Sequence, residues 1–170
     1  MALKSDRNEL QTDISFFMNE AATRGCVVSM TTGGSGAALD QGTALVTQTV
    51  ASGKPPMGIL LNDMVSIDLT RQHLNQHKDE VQVGGKVTIL RKGWVVTDSL
   101  LCTTDPVAGQ AAFLATGGKI SNSGDPASIV ADQSGTTTSV IGVFLSSKDQ
   151  DGYAKVEIDL PGTPVRDNQG

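Results

Sequence analysis

Two histidines, His73 and His77, stand four residues apart, the spacing that sets two imidazoles on one helical face for zinc. The hydrolytic version of that motif needs Glu directly after the first histidine, and Leu74 stands there. Asp79 and Glu80 follow as possible further ligands, but no cysteine lies nearby. A polar loop that happens to hold both histidines explains the same residues. The chain has no other histidine, so a Ser-His-Asp or Cys-His mechanism would need one of this pair. Asp149-Gln150-Asp151-Gly152 has the look of a calcium-loop fragment. Aligned so, the closing twelfth position falls on Ile158, which cannot supply a bidentate carboxylate. A hairpin turn at Asp-Gly accounts for it better. Three Gly-Lys pairs, at Lys54, Lys86 and Lys119, are followed by Pro55, Val87 and Ile120, where a phosphate loop requires Ser or Thr. Gly33-Gly34-Ser35-Gly36 lacks dinucleotide spacing. No catalytic residue, metal site or cofactor is expected, and the chain reads as a non-enzyme.

What remains are residues suited to contact. Arg71, Lys78, Lys86, Arg91 and Lys92 gather in one stretch of an otherwise acidic chain. They read either as a charged surface for an acidic partner or as solvated turn residues. Trp94 follows them as an interface anchor or a core residue. Phe16, Phe17 and Met18 form the most aromatic stretch and read as an apolar contact or as ordinary core. With His73 and His77, the candidate interface set is Phe16, Phe17, Met18, Arg71, His73, His77, Lys78, Arg91, Lys92 and Trp94.

The elements that must position these residues are strands. The chain has 170 residues, enough for one domain with a real core. Glycine takes 19 positions, aromatics only 4% and charged residues 18%, which fits neither a disordered chain nor a helical bundle. A net charge of −5 argues against a general nucleic-acid binder. No run approaches the ~18 apolar residues of a membrane helix, and the polar start is not a secretory signal. Cys26 and Cys102, far apart and without a CxxC pairing, read as reduced thiols.

Residues 1–12 read as a flexible polar arm, and 13–170 as one β domain. Asp13 to Glu20 is a strand or a short helix, and Cys26 to Met30, Ala44 to Thr49, Met57 to Leu61 and Val65 to Leu69 are strands. Thr70 to Glu80 lacks an apolar face and reads as an exposed loop. Strand character resumes over Val81 to Val83, Lys86 to Leu90 and Trp94 to Thr97, with a bulge or tight bend at Gly84-Gly85. Two stretches, about 42–69 and 109–160, share one layout: apolar strand, turn, second strand, then Val-x-Ile-Asp-Leu. In that last motif Val and Ile turn inward while Ser66 or Glu157 faces water. The architecture expected is all-β, a small β-barrel or β-sandwich of short strands with an internal repeat.

Gly109 to Thr116, Val140 to Leu145 and Gly152 to Leu160 resemble the spaced strands of bacteriophage capsid decoration, or cement, proteins. Asn75 to Thr88 is similar to stretches of tailed-phage structural proteins. The resemblance implies a virion protein that binds the outer surface of the mature capsid after synthesis in the host cytoplasm. It would bridge subunits of the major capsid protein and oppose internal pressure. Partners implied are the major capsid protein and further copies of itself, trimers before dimers, with neither nucleic acid nor membrane. Such an arm would order on the shell by strand addition. A tail or baseplate component is the alternative, and a small ligand-binding or hydrolytic barrel using His73, His77 and Asp79 comes last.

Overall fold

Val27-Val28, Ile59-Leu60-Leu61 and Ile89-Leu90 are runs of adjacent apolar residues, which a strand with one wet face would not tolerate. The computed structural model shows why. It describes residues 3–31, 45–48, 56–61, 80–81, 83–123 and 140–160. The strands are β1 (Leu3–Asp13), β2 (Phe17–Met18), β3 (Ala22–Thr23), β4 (Val27–Met30), β5 (Leu45–Thr47) and β6 (Pro56–Leu60). There follow β7 (Glu80–Val81), β8 (Ile89–Thr97), β9 (Ala111–Ala115), β10 (Lys119–Ser121), β11 (Val140–Phe144) and β12 (Ala154–Asp159).

Val27 pairs with Ile59 and Ile59 with Leu90, and this row points into one core. Their neighbours Val28, Leu60 and Ile89 point the other way, into a second core. The middle of the sheet is therefore buried on both faces, and period-two alternation divides each run between two interiors. The first core is closed by Ala112, Leu114, Ile120, Ile141, Phe144, Val156 and Ile158, the second by Phe16, Met18, Val46, Val81 and Val87.

The main sheet runs β10-β9-β11-β12-β8-β6-β4-β5-β2, with β1 on β8 as a branch. β2 and β5 pair in parallel and the other pairs are antiparallel. A separate two-stranded ladder joins β3 to β7. All-β character holds; of the barrel and the sandwich expected, the closed barrel does not form, because the sheet is open. β8 is the reason. One edge of β8 takes β1 from Ile89 to Thr97. The other takes β12 over Lys92–Thr97 and β6 at Ile89 and Leu90. With that edge divided, the sheet forks around two cores instead of curling around one.

Residues 3–12, read from sequence as part of a flexible arm, lie in β1 and pair with β8. The strand's side chains are mostly exposed and only Leu3 is fully buried. Backbone pairing, which leaves no hydropathy trace, is what recruits it. In the second copy of the repeat, β9, β11 and β12 are consecutive neighbours. In the first copy, β5 and β6 are separated by β4. The return strand of the first copy and the loop from Thr70 to Asp79 lie outside the described residues. Val156 and Ile158 are buried and Glu157 exposed, as the alternation requires.

Candidate surface for protein contact

Beyond Leu90 the sheet has one wet face, made by β8, β12 and β11 with β1 along the side. Register decides which side chains share it. Asn8 lies opposite Trp94, Trp94 opposite Glu157, and Glu157 opposite Val143. The adjacent row holds Val96 and Lys155, joined to Leu145 by a 2.8 Å backbone hydrogen bond from Leu145 N–H to the Lys155 carbonyl. Lys92 stands opposite Asp159, their charged groups 3.1 Å apart.

Trp94 is half-buried, neither core nor fully exposed. The Lys155 ammonium sits 3.4 Å from its ring centroid, a cation–π contact between β12 and β8. Further out, the Lys4 ammonium lies 4.2 Å from the Tyr153 ring centroid and donates to Asp149 Oδ2 at 2.7 Å. Asp149 Oδ1 accepts the backbone N–H groups of Asp151 and Tyr153, so this carboxylate shapes the hairpin tip and also anchors β1. The hydrogen bond from Lys4, then that from the Tyr153 backbone, holds the Asp149 carboxyl below the ordinary carboxylate range; the same bond raises Lys4. Asp149-Gln150-Asp151-Gly152 thus forms a turn clamped to the first strand. At the far end of β8, Arg91 and Asp13 approach to 3.9 Å.

Of the interface candidates, Arg91, Lys92 and Trp94 come together on β8. Arg71, His73, His77 and Lys78 lie outside the described residues. Phe16 and Met18 are 6% and 0% exposed, so the second core consumes them and they offer a partner no surface. Phe17 is half-buried, with the Lys86 ammonium 5.9 Å from its ring centroid. Sequence reading missed Lys4, Tyr153, Lys155, Glu157 and Asp159 as members of this surface. Alternation in Lys155-Val156-Glu157-Ile158-Asp159 marks an exposed face, but only register could set it beside Trp94.

Cys26 and Cys102 are free thiols, and burial raises both, Cys26 to about 12. Among the described residues no group of His, Cys, Asp and Glu side chains is arranged to hold a metal. The chemistry this face offers is recognition: an indole, aliphatic patches at Val143 and Leu145, and alternating charges on a rigid sheet.

The model of one family, described as structural cement protein (E217 gp24/Pam3 gp6), matches residues 7–159. The chain belongs to this family of phage structural cement proteins. A search of curated proteins returned no match.

Proposed function

We propose that the protein binds the outside of the mature phage capsid and stabilises it by bridging subunits of the major capsid protein, without catalysis. The family match over residues 7–159 carries this reading. The β8–β12 face supplies the contact: Trp94 as anchor, with Arg91, Lys92, Lys155 and Glu157 setting register on the shell. We propose further contact from Arg71, His73, His77 and Lys78, which lie outside the described residues. Contacts between copies join the shell contacts, so that many weak interfaces on a symmetric particle act together.

Co-sedimentation with expanded capsids lacking the protein, with unexpanded procapsids as control, tests this. Saturable binding to expanded shells and delayed heat-induced genome release are expected. Trp94→Ala removes a central aromatic anchor and weakens binding about 30-fold, the effect of ~2 kcal/mol. Binding to neither shell refutes the capsid role, while undiminished binding of Trp94→Ala moves the contact away from this face.

A further inference from the structure

The hairpin tip between β11 and β12 carries the only Asp-Gly pair in the chain, Asp151-Gly152, and Asn-Gly does not occur. Asp-Gly is the dipeptide at which a backbone nitrogen most readily attacks the preceding side-chain carboxyl, because glycine has no side chain to crowd the approach. Asp151 is exposed, and nothing lies within 4 Å of where a Cβ would stand at Gly152. Space for the reaction is therefore present, and crowding does not prevent it.

Hydrogen bonding restrains this peptide, and one residue supplies it. Asp149 N–H donates to the Tyr153 carbonyl at 2.8 Å, and Gly152 N–H donates to the Asp149 carbonyl at 3.0 Å. Asp149 Oδ1 accepts the N–H of Asp151 at 3.0 Å and that of Tyr153 at 2.8 Å. The attacking nitrogen and the amide on either side of it thus all end on Asp149. Lys4, donating to Oδ2 at 2.7 Å, fixes the carboxylate from outside the turn.

We propose that Asp151-Gly152 is a latent site of isoaspartate formation, held closed by Asp149 in the folded hairpin. In the reaction the Gly152 nitrogen gives up its proton and bonds to Asp151 Cγ, and the carboxyl hydroxyl leaves as water. The product is a five-membered succinimide. Water then adds to one of its two carbonyls: opening at Cγ restores aspartate, and opening at the main-chain carbonyl leaves the chain running through Cβ and Cγ. The water lost in the first step is regained in the second, so no oxidant or cofactor is consumed. Before attack the nitrogen must leave its bond to Asp149, so the native rate is the free-peptide rate multiplied by the fraction of open turn. Each net hydrogen bond lowers that fraction about fivefold, and the three together about a hundredfold.

The modification has a structural consequence. An isoaspartyl link adds one methylene to the main chain inside the turn, so the amide of Tyr153 no longer meets Asp149 Oδ1. Asp149 then loses its hold on Lys4, whose ammonium also lies over the Tyr153 ring, and the N-terminal end of β1 is freed. Ageing at the hairpin tip thereby loosens a strand distant in sequence, whatever the wet face binds.

The test incubates the full chain, its Asp149→Ala and Asp149→Asn variants and a synthetic peptide spanning Ser146 to Val156 in mildly acidic buffer below the unfolding temperature. Isoaspartate at position 151 is counted by electron-transfer fragmentation mass spectrometry. The native chain is expected to react at least ~10-fold more slowly than the peptide. Asp149→Ala loses two of the three bonds and reacts at least ~10-fold faster than the parent. Asp149→Asn keeps a side-chain oxygen for the same two amides and stays within about threefold of the parent. Asp149 is exposed, and circular dichroism checks that both variants keep their strands. In the isolated isoaspartyl form, hydrogen exchange at the N-terminal end of β1 is expected to rise. A parent as fast as the peptide, or an Asp149→Ala variant no faster than the parent, overturns the proposal. An Asp149→Asn variant as fast as Asp149→Ala does so too, since the turn bonds would then not be the restraint.

Discussion

Gly93 is where the fit between β1 and the sheet is most exposed to a single change. Its φ is +139°, a conformation that strains any residue with a Cβ by about 1–3 kcal/mol. The Cβ of Gly93→Ala would lie 2.0 Å from the Asn8 carbonyl oxygen and 3.3 Å from the Leu10 nitrogen. Carbon and carbonyl oxygen normally stay about 3.3 Å apart or more, so Asn8 must retreat by more than an ångström. The obstacle is backbone, and no rotamer relieves it. A shift of that size breaks the local pairing of β1, at about 1 kcal/mol per hydrogen bond. The loss has a ceiling, because the molecule can instead release β1 and forfeit its ladder and the burial of Leu3, the latter worth about 1.5–3 kcal/mol. Gly93→Ala is therefore expected to cost about 3 kcal/mol, or about 6–12 °C in Tm for a chain of this size. The damage is local. Hydrogen exchange should accelerate over β1 and the facing amides of β8 while β9, β11 and the core of β12 stay protected. A Tm within about 2 °C of the parent, with β1 still protected, would refute the reasoning.

Other expectations follow from separate features. Gly142→Ala would set a Cβ 1.8 Å from the Glu157 carbonyl oxygen, between strands that carry Phe144 and Ile158 in the first core; it should unfold the sheet globally, seen as a fall in the urea midpoint with exchange rising in β9, β11 and β12 together. Phe144→Ala removes a fully buried side chain and should cost about 3–5 kcal/mol in urea unfolding. The Lys4–Asp149 clamp has a definite pH window. Asp149's folded pKa is depressed, so its contribution is present above the ordinary value of 3.8 and lost as pH falls through the folded pKa. Lys4 is raised above 10.5, so its contribution holds below that pH and is lost above its folded pKa. Exchange at the N-terminal end of β1 should rise at both extremes, and Asp149→Asn should remove the acid limb. Cys26, buried with its thiol pushed up to about 12, should react with a thiol reagent at pH 8 only on unfolding, whereas half-buried Cys102 reacts in the native state.

Much of the scaffold was legible because burial leaves a periodic trace. Val156, Glu157 and Ile158 announce a one-sided strand, and glycine with β-branched residues announces sheet over helix. The closeness of Arg91, Lys92 and Trp94 on β8 was legible because they are neighbours in the chain.

Tertiary structure decided everything that depends on which strands meet. Continuous apolar runs such as Ile59-Leu60-Leu61 show that a strand is buried on both faces, but not that its two faces serve different cores. Phe16 and Met18 have the composition of a contact patch and the location of a core. β1 is the clearest case: its side chains are polar, and its attachment lies in backbone hydrogen bonds and in the space left by Gly93, neither of which hydropathy records. Local composition determines whether a segment becomes a strand and which of its faces is wet. Register, set by backbone pairing between residues distant in sequence, determines which wet faces join into a surface.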